Sequence, residues 1–344
     1  MPNEPQHKLI ISKEAQIIAT LSRGYVLSRA IYTVALLKIA DEIDETPTHI
    51  DIIATHTGTK AAYLLRLLRF LAAYGIFKEE TPEAFVETPL SKPLKSESSD
   101  SMRDILCMVD CDWWAAMGAM DHCLTEGGAA YEHLHESPFF THLSQTPTQQ
   151  KRFDEGMARF SVYTDHAIVR AYDFSKMHHI VDLGGGRGGF LGEVLKECPD
   201  LKATLFERCA ALTNQDLGLS QLYPNRFTAI AGDFFESIPK DADLYFLQGV
   251  LHDFNETDTL KILATCKKCM PASARLLIAE QVIPETPEPH PNKTMDIVMM
   301  VLLDGQQRTL EAWSVLLQKS GFTLTQTLPT ESLFTLLECV PNFP

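Results

Sequence analysis

No apolar run in this 344-residue chain reaches the roughly 18 residues that a membrane-spanning helix requires. The opening residues, MPNEPQHKLI, have no basic flank leading into an apolar core, so no secretory signal is visible. A cytoplasmic location, with no membrane partner, is the default expectation. A disulfide framework is not expected either. The eight cysteines (Cys107, Cys111, Cys123, Cys198, Cys209, Cys266, Cys269 and Cys339) are scattered through a long chain. Cys266 and Cys269 form a CxxC, but no second pair or histidine cluster nearby completes a zinc set. They fall in TLKILATCKKCM, an amphipathic helix that places both thiols on one face, so they read as structural and no metal is expected. Positive charge is also short: 30 Lys and Arg against 45 Asp and Glu leave a net charge of −15. That balance opposes phosphate backbones and argues against a dedicated nucleic-acid binder. No internal repeat or low-complexity tract is present.

The length suggests two domains, and the texture of the chain divides in two. From residue 11 to about 45, Ile17, Ile18, Leu21, Val26, Leu27, Ala30, Ile31, Val34 and Leu37 recur at helical spacing. The stretch from Thr48 to Glu80 reads as a helix, a turn at Gly58, a longer helix and a stop at Gly75. A short strand pair follows, IFKEE and then AFVETPLS. This is the winged-helix pattern. It raises a regulator hypothesis, but the second helix carries Lys60, Arg66 and Arg69 among mostly apolar positions. A recognition helix needs polar and basic residues facing base edges, so packing or dimerisation is the better reading. Residues 101 to 175 are helical again, and the Pro-rich IPETPEPHPNK is an irregular loop.

After residue 176, short β-like runs alternate with helical segments: HHIVDL, ATLFE, RFTAIAG, DLYFLQG, ARLLIAE, FTLTQTL and LFTLLEC. Such alternation predicts a mostly parallel sheet with helices on both faces. The first strand runs into GGGRGGF and then a helix. Gly184, Gly186 and Gly188 allow a tight turn and close backbone approach to a ligand, with the helix N-terminus facing it. Gly184, Gly186 and Gly189 also satisfy GxGxxG, so an NAD-dependent oxidoreductase stays open at this point. Asp182, two residues before the first glycine, can receive the ammonium of an amino acid. Glu207, at the end of the next strand, can accept ribose hydroxyls in either case. Only the first favours adenosylmethionine.

Downstream, GDFFESIP, GVLHDF, LLIAEQVIP and DGQQRT join VDLGGGRGG in one order. With them the chain resembles the plant caffeic acid O-methyltransferases, the hydroxyindole O-methyltransferases and their bacterial relatives. The similarity runs from the winged helix to about residue 340. It implies a mostly helical winged-helix dimerisation domain over 1–100, a helical linker and pocket roof over 101–175, and an α/β, Rossmann-like catalytic domain over 176–344. It implies a homodimer that binds S-adenosylmethionine, releases S-adenosylhomocysteine and methylates a hydroxyl on a small aromatic or enolic acceptor. In this reading Gly184, Gly186 and Gly188 hold the methionine part with Asp182, Glu207 binds the ribose, and Asp233 and Phe234 contact the adenine. His252 matches the catalytic base and Glu280 the carboxylate flanking it.

Three positions depart from the family. Gln307 replaces a second carboxylate beside the base, Phe254 stands where a Trp is usual, and Gln248 stands where a Lys often contacts adenine. Trp113, Trp114, Met117, Met120, Phe160, Met299, Met300 and Leu303 are the expected lining of an apolar slot for a planar ring. A relative that binds adenosylmethionine but catalyses decarboxylation, hydroxylation or rearrangement is the alternative that Gln307 leaves open.

Overall fold

The computed structural model describes residues 11–208, 212 and 218–343; the opening MPNEPQHKLI and Cys209 lie outside them. The chain forms two compact units divided between Val109 and Asp110.

In the first unit, helices α1 (Lys13–Leu21) and α2 (Gly24–Leu36) replace the single helix that the periodicity suggests. The break has local causes. Thr20 and Ser22 hydroxyls turn back onto the carbonyls of Gln16 and Ala19, and Arg23 also donates to Ala19. Such bonds compete with helix continuation, and Gly24 follows at once. α1 buries none of its residues. Ile17, Ile18, Leu21, Tyr25 and Val26 are all exposed. Helices α3 (Ile50–Thr57) and α4 (Ala61–Ala72) flank Gly58, whose φ of 67° closes α3 in the left-handed region. Strands β1 (Thr48–His49), β2 (Lys78–Thr81) and β3 (Ala84–Val86) pair antiparallel in the order β1-β3-β2. Leu64, Leu68 and Leu71 of α4 sit at helical spacing and close over Val34, Ile53, Phe77 and Phe85. Arg69, on the opposite side of α4, makes a forked bond to Glu79. Helix α5 (Arg103–Met108) is tied to α2 by Arg103 Nε donating to the Ala35 carbonyl.

The second unit opens with four short helices, α6 (Cys111–Gly118), α7 (Met120–Thr125), α8 (Ala130–His135) and α9 (Phe139–Ser144). The long helix α10 (Pro147–Ala171) follows, with proline at its first position, where no N–H is required. Then β4 (His179–Leu183), α11 (Gly189–Glu197), β5 (Lys202–Glu207), α12 (Leu219–Leu222), β6 (Phe227–Ala231), β7 (Leu244–Gln248), α13 (Glu256–Cys269) and β8 (Arg275–Glu280) alternate. The chain ends with α14 (Pro291–Leu303), α15 (Leu310–Lys319), β9 (Phe322–Pro329) and β10 (Thr335–Pro341).

The sheet order is β6-β5-β4-β7-β8-β10-β9. Strands β4 to β8 pair in parallel, while β10 runs antiparallel to both β8 and β9. The central strands are continuous apolar runs, Leu244–Leu247 and Leu276–Ala279, because helices cover both faces. One face packs Val181, Leu183, Tyr245, Leu247 and Ile278 against Ile262, Leu263, Trp313 and Leu317. The other packs Ile180, Leu205, Phe246 and Leu277 against Phe190, Leu191 and Val194. Each such side chain contributes about 1.5–3 kcal/mol by leaving water. The order reverses between β4 and β7. A ligand crevice forms at the carboxyl ends of strands at such a point, and Asp182, Glu207, Gln248 and Glu280 lie there.

Candidate active site

The glycine loop leaves β4 with Gly184 at φ 75°, where an added Cβ would stand 3.0 Å from Val250. Gly186, at φ 56°, has open space where its Cβ would be, so the loop has a bare face. Asp182 lies beneath, 1% exposed, and neither carboxylate oxygen has a hydrogen-bond partner. Burial holds this carboxyl well above the ordinary carboxylate range, and the charges of Asp165 and Glu207 raise it further. A buried acid with two open acceptor atoms beside a bare glycine loop suits an ammonium group.

Glu207 stands at the end of β5. Its Oε2 accepts from Gly186 N at 3.2 Å and its Oε1 from Arg208 N at 2.7 Å. A cleft lined by Phe206, Glu207, Arg208, Gly232, Asp233 and Phe234 adjoins it. Glu207, Asp233 and Phe234 line one cleft. Asp233 also fixes the turn by accepting from Phe235 N at 2.8 Å, and Phe234 meets Phe254 edge-on at 6.0 Å.

Gln248, at the end of β7, faces α10. Its amide donates to Asp165 Oδ1 at 2.8 Å and to Thr164 Oγ1 at 3.2 Å. Asp165, which the sequence did not single out, lies beside the start of α11. It is 4% exposed, burial pushes its carboxyl up to about 6, and a Cβ on Gly189 would come within 3.1 Å of it. The one signal was an acid among the apolar positions Ala167 and Ile168 on the buried face of α10.

His252 lies in a 3-10 turn, Leu251–Asp253, just past β7. Its Nδ1 is 2.7 Å from Oε2 of Glu280, which is fully buried at the end of β8. Glu280 Oε1 accepts from the backbone N–H of Leu251 at 3.0 Å and of His252 at 3.2 Å. On the other side of the ring, Nε2 is 3.4 Å from Asp253 Oδ1. Burial opposes charging the imidazole, but the Glu280 charge, its hydrogen bond and Asp253 outweigh burial and raise His252 to about 9. Burial pushes Asp253 up to about 7, with His252 pulling the other way. The arrangement is a buried histidine with one nitrogen anchored and the other available for a proton.

The loop after α14 braces this turn. Gln306 N donates to the His252 carbonyl at 2.9 Å, and a Cβ on Gly305 would collide with that oxygen. Arg308, also missed, is buried and donates to the carbonyls of Leu251, Phe254 and Gln306. Gln307 is 1% exposed, its backbone N–H bonds to Asp296, and neither atom of its amide has a hydrogen-bond partner.

Of the expected acceptor lining, Trp113, Met117, Met120, Met300 and Leu303 pack in one cluster around Tyr131, Phe139 and Leu302. Trp113 meets Phe139 edge-on at 5.7 Å. Trp114 is half-buried and Met299 is buried, but neither belongs to that cluster. Phe160 joins the sheet-facing cluster instead, 6.1 Å from Phe334, because its turn of α10 covers the parallel sheet.

Among the described residues no helix is long and apolar enough to cross a membrane. Residues 19–96 match the O-methyltransferase dimerisation domain and residues 115–323 the O-methyltransferase domain. The chain is 34% identical over 328 residues to the phenazine O-methyltransferase PhzM of Lysobacter antibioticus, covering 95% of this chain and 96% of that one. It is 30% identical to the 8-amino-8-demethylriboflavin N,N-dimethyltransferase of Streptomyces davaonensis, over 98% and 97% of the two chains. The crystal structure of LaPhzM superposes with a TM-score of 0.87 at 34% identity, over 96% of this chain and 100% of that one. With a family match over more than half of its length and these relatives along nearly all of it, the chain belongs to the O-methyltransferase family that carries an N-terminal dimerisation domain.

Proposed function

We propose that this chain transfers a methyl group from S-adenosylmethionine to a hydroxyl of a small planar aromatic or enolic acceptor, with His252 as the base, and that it works as a homodimer. The observation that carries the reading is the buried His252–Glu280 pair, 2.7 Å apart, at the carboxyl ends of β7 and β8.

Adenosylmethionine supplies an electrophilic methyl carbon on a positively charged sulfur leaving group. Asp182 would bind the ammonium of its amino-acid part, and the bare face of the glycine loop would take the adjoining chain. Glu207 would accept from the ribose hydroxyls, and Asp233 and Phe234 would hold the adenine in their cleft. Gln248, carrying an amide where relatives often have a lysine, would act through Asp165.

A phenol near pKa 10 is a poor nucleophile until its proton leaves. With Nδ1 donating to Glu280, the neutral tautomer keeps its lone pair on Nε2, which takes the acceptor's proton. The imidazolium that forms is stabilised by Glu280 on one side and Asp253 on the other. With an amide at 307, these two are the carboxylates that attend the ring. Trp113, Met117, Met120, Met300 and Leu303 would clamp the flat face of the acceptor and keep oxygen and methyl in line.

The dimer reading rests on α1, which buries nothing within its own chain while Ile17, Ile18 and Leu21 face outward. The test of the whole reading is mass spectrometry of a phenol and aromatic-amine panel incubated with the protein and adenosylmethionine. A product heavier by one methyl group on oxygen supports it. Methylation confined to nitrogen rejects the hydroxyl assignment, and cofactor binding without any methylation favours a non-methylating activity.

A further inference from the structure

Outside the His252 pair, the second unit holds a cluster of metal-ligating side chains that methyl transfer does not use. Asp112 is in the first turn of α6. His135 is the last residue of α8, which stops because Glu136 turns into the left-handed region at φ 51°. Pro138 then starts α9 and sends it back, so that His142 reaches the same place. The imidazole rings of His135 and His142 are 4.4 Å apart between centroids.

One donor atom from each of Asp112, His135 and His142 lies within 4.8 Å of the other two. His142 Nε2 is 3.5 Å from Asp112 Oδ2, close to the edge of a zinc tetrahedron with bonds of about 2.0–2.1 Å. Nε2 of His135 is buried and has no hydrogen-bond partner. His135 thus carries a buried nitrogen without a partner on a ring that lies beside a second imidazole and within reach of a carboxylate, a polar group that a cation would satisfy. The carboxylate is already oriented: Gln149, in the first turn of α10, donates its amide to Asp112 Oδ2 at 2.5 Å. Tyr131 lines the back of the cluster, 4.4 Å from the His135 ring and 5.8 Å from that of His142.

We propose that Asp112, His135 and His142 form a binding site for a divalent transition metal of the zinc class. Two imidazoles and one carboxylate select a borderline ion such as Zn²⁺, Co²⁺ or Ni²⁺ over Mg²⁺ or Ca²⁺, which prefer all-oxygen sets. The three side chains are half-buried, so water completes the coordination. The site is structural and takes no part in methyl transfer: its donors lie on α6, α8 and α9, whereas His252 and Glu280 follow β7 and end β8. Its effect is to tie α6 to the α8–α9 hairpin. Because α6 also carries Trp113 and Met117, occupancy stiffens the apolar cluster that these helices share with α14.

The test is calorimetric titration of the EDTA-treated, full-length protein with ZnCl₂, and with CoCl₂ followed by visible absorption. The expected result is one equivalent per chain with a Kd of about micromolar or tighter, a Co²⁺ absorption of imidazole-ligated character, and a higher melting temperature with Zn²⁺. The variants His135→Gln, His142→Gln and Asp112→Asn should each weaken binding by about tenfold or more. Replacing His122, which stacks on His133 at 3.9 Å elsewhere on the helices, should leave binding intact. Melting without metal shows that each variant is folded. Failure of the native protein to bind Zn²⁺ below about 100 μM, or undiminished binding in the His135→Gln/His142→Gln double variant, overturns the proposal. These outcomes are independent of whether the protein methylates a hydroxyl.

Discussion

Oε2 of Glu280 lies 2.7 Å from Nδ1 of His252, and Oε1 of the same carboxylate accepts the backbone N–H groups of Leu251 and His252. One buried acid therefore sets both the path of the 3-10 turn and the orientation of the ring that the turn presents. The two jobs can be separated by substitution. Glu280→Gln keeps an oxygen for the backbone but can place its amide N–H against Nδ1, which reverses the imidazole tautomer and removes the Nε2 lone pair. Turnover should fall roughly 10²- to 10⁴-fold with little change in melting temperature. Glu280→Ala leaves two buried N–H groups without a partner and should also destabilise the fold by about 1–3 kcal/mol. Equal melting of the two variants would contradict the dual role.

The pH dependence follows from the same pair. Since His252 is raised to about 9, the protonated ring persists at neutral pH and the base form grows above it. For a phenol of high pKa, kcat/KM should climb by up to about tenfold per pH unit between pH 7 and 9. Stability runs the other way. A histidine raised in the folded state contributes stability that is full below its ordinary value of 6.5 and is lost as pH passes about 9. The native protein should therefore lose stability relative to His252→Gln over that window. A flat kcat/KM profile, or parallel melting curves, would count against the raised value.

Asp182 sets function against stability. Its ionised form is buried and without a hydrogen-bond partner, so the folded chain is destabilised by that charge as pH rises above the ordinary carboxylate range. Asp182→Asn should raise the melting temperature of the ligand-free protein by a few degrees at pH 8. It should also weaken adenosylmethionine binding about 10- to 100-fold, the worth of a charged hydrogen bond. Calorimetry and thermal melts on the same samples check both. A variant that loses stability yet binds as well as native would remove Asp182 from the site.

Ile18 and Leu21 on α1 are 66% and 69% exposed, and with Ile17 they form an apolar stripe that a partner would cover. Ile18→Asp/Leu21→Asp should give a monomer in analytical ultracentrifugation where the native chain gives a dimer. A native monomer at micromolar concentration, or a dimeric variant, would refute this interface.

The β-like runs after residue 176 all became strands, because each is an apolar run bounded by turn residues and the sheet is covered on both faces. Gly58 and Gly75 likewise marked their turns, with φ of 67° and 74°. What escaped were features set by distant chain segments or by single side chains. The N-terminal helix breaks at Ser22–Arg23 through hydroxyl and guanidinium bonds that apolar periodicity does not register. Asp165 reaches the glycine loop from a helix 17 residues before Asp182, so no local motif contains it. Phe160 meets Phe334 across 174 positions of sequence, a contact that no local motif shows. The approach of His135 to His142 follows the left-handed turn at Glu136, and a non-glycine residue gives no signal for that turn.

The most direct test of the central claim is the turnover of His252→Ala on an acceptor phenol of pKa near 10, at saturating adenosylmethionine. With His252 as the base, kcat should fall roughly 10²- to 10⁴-fold, with cofactor affinity within about twofold of native. Full methylation of that phenol by His252→Ala would show that the proton leaves by another route, and His252 would not be the base.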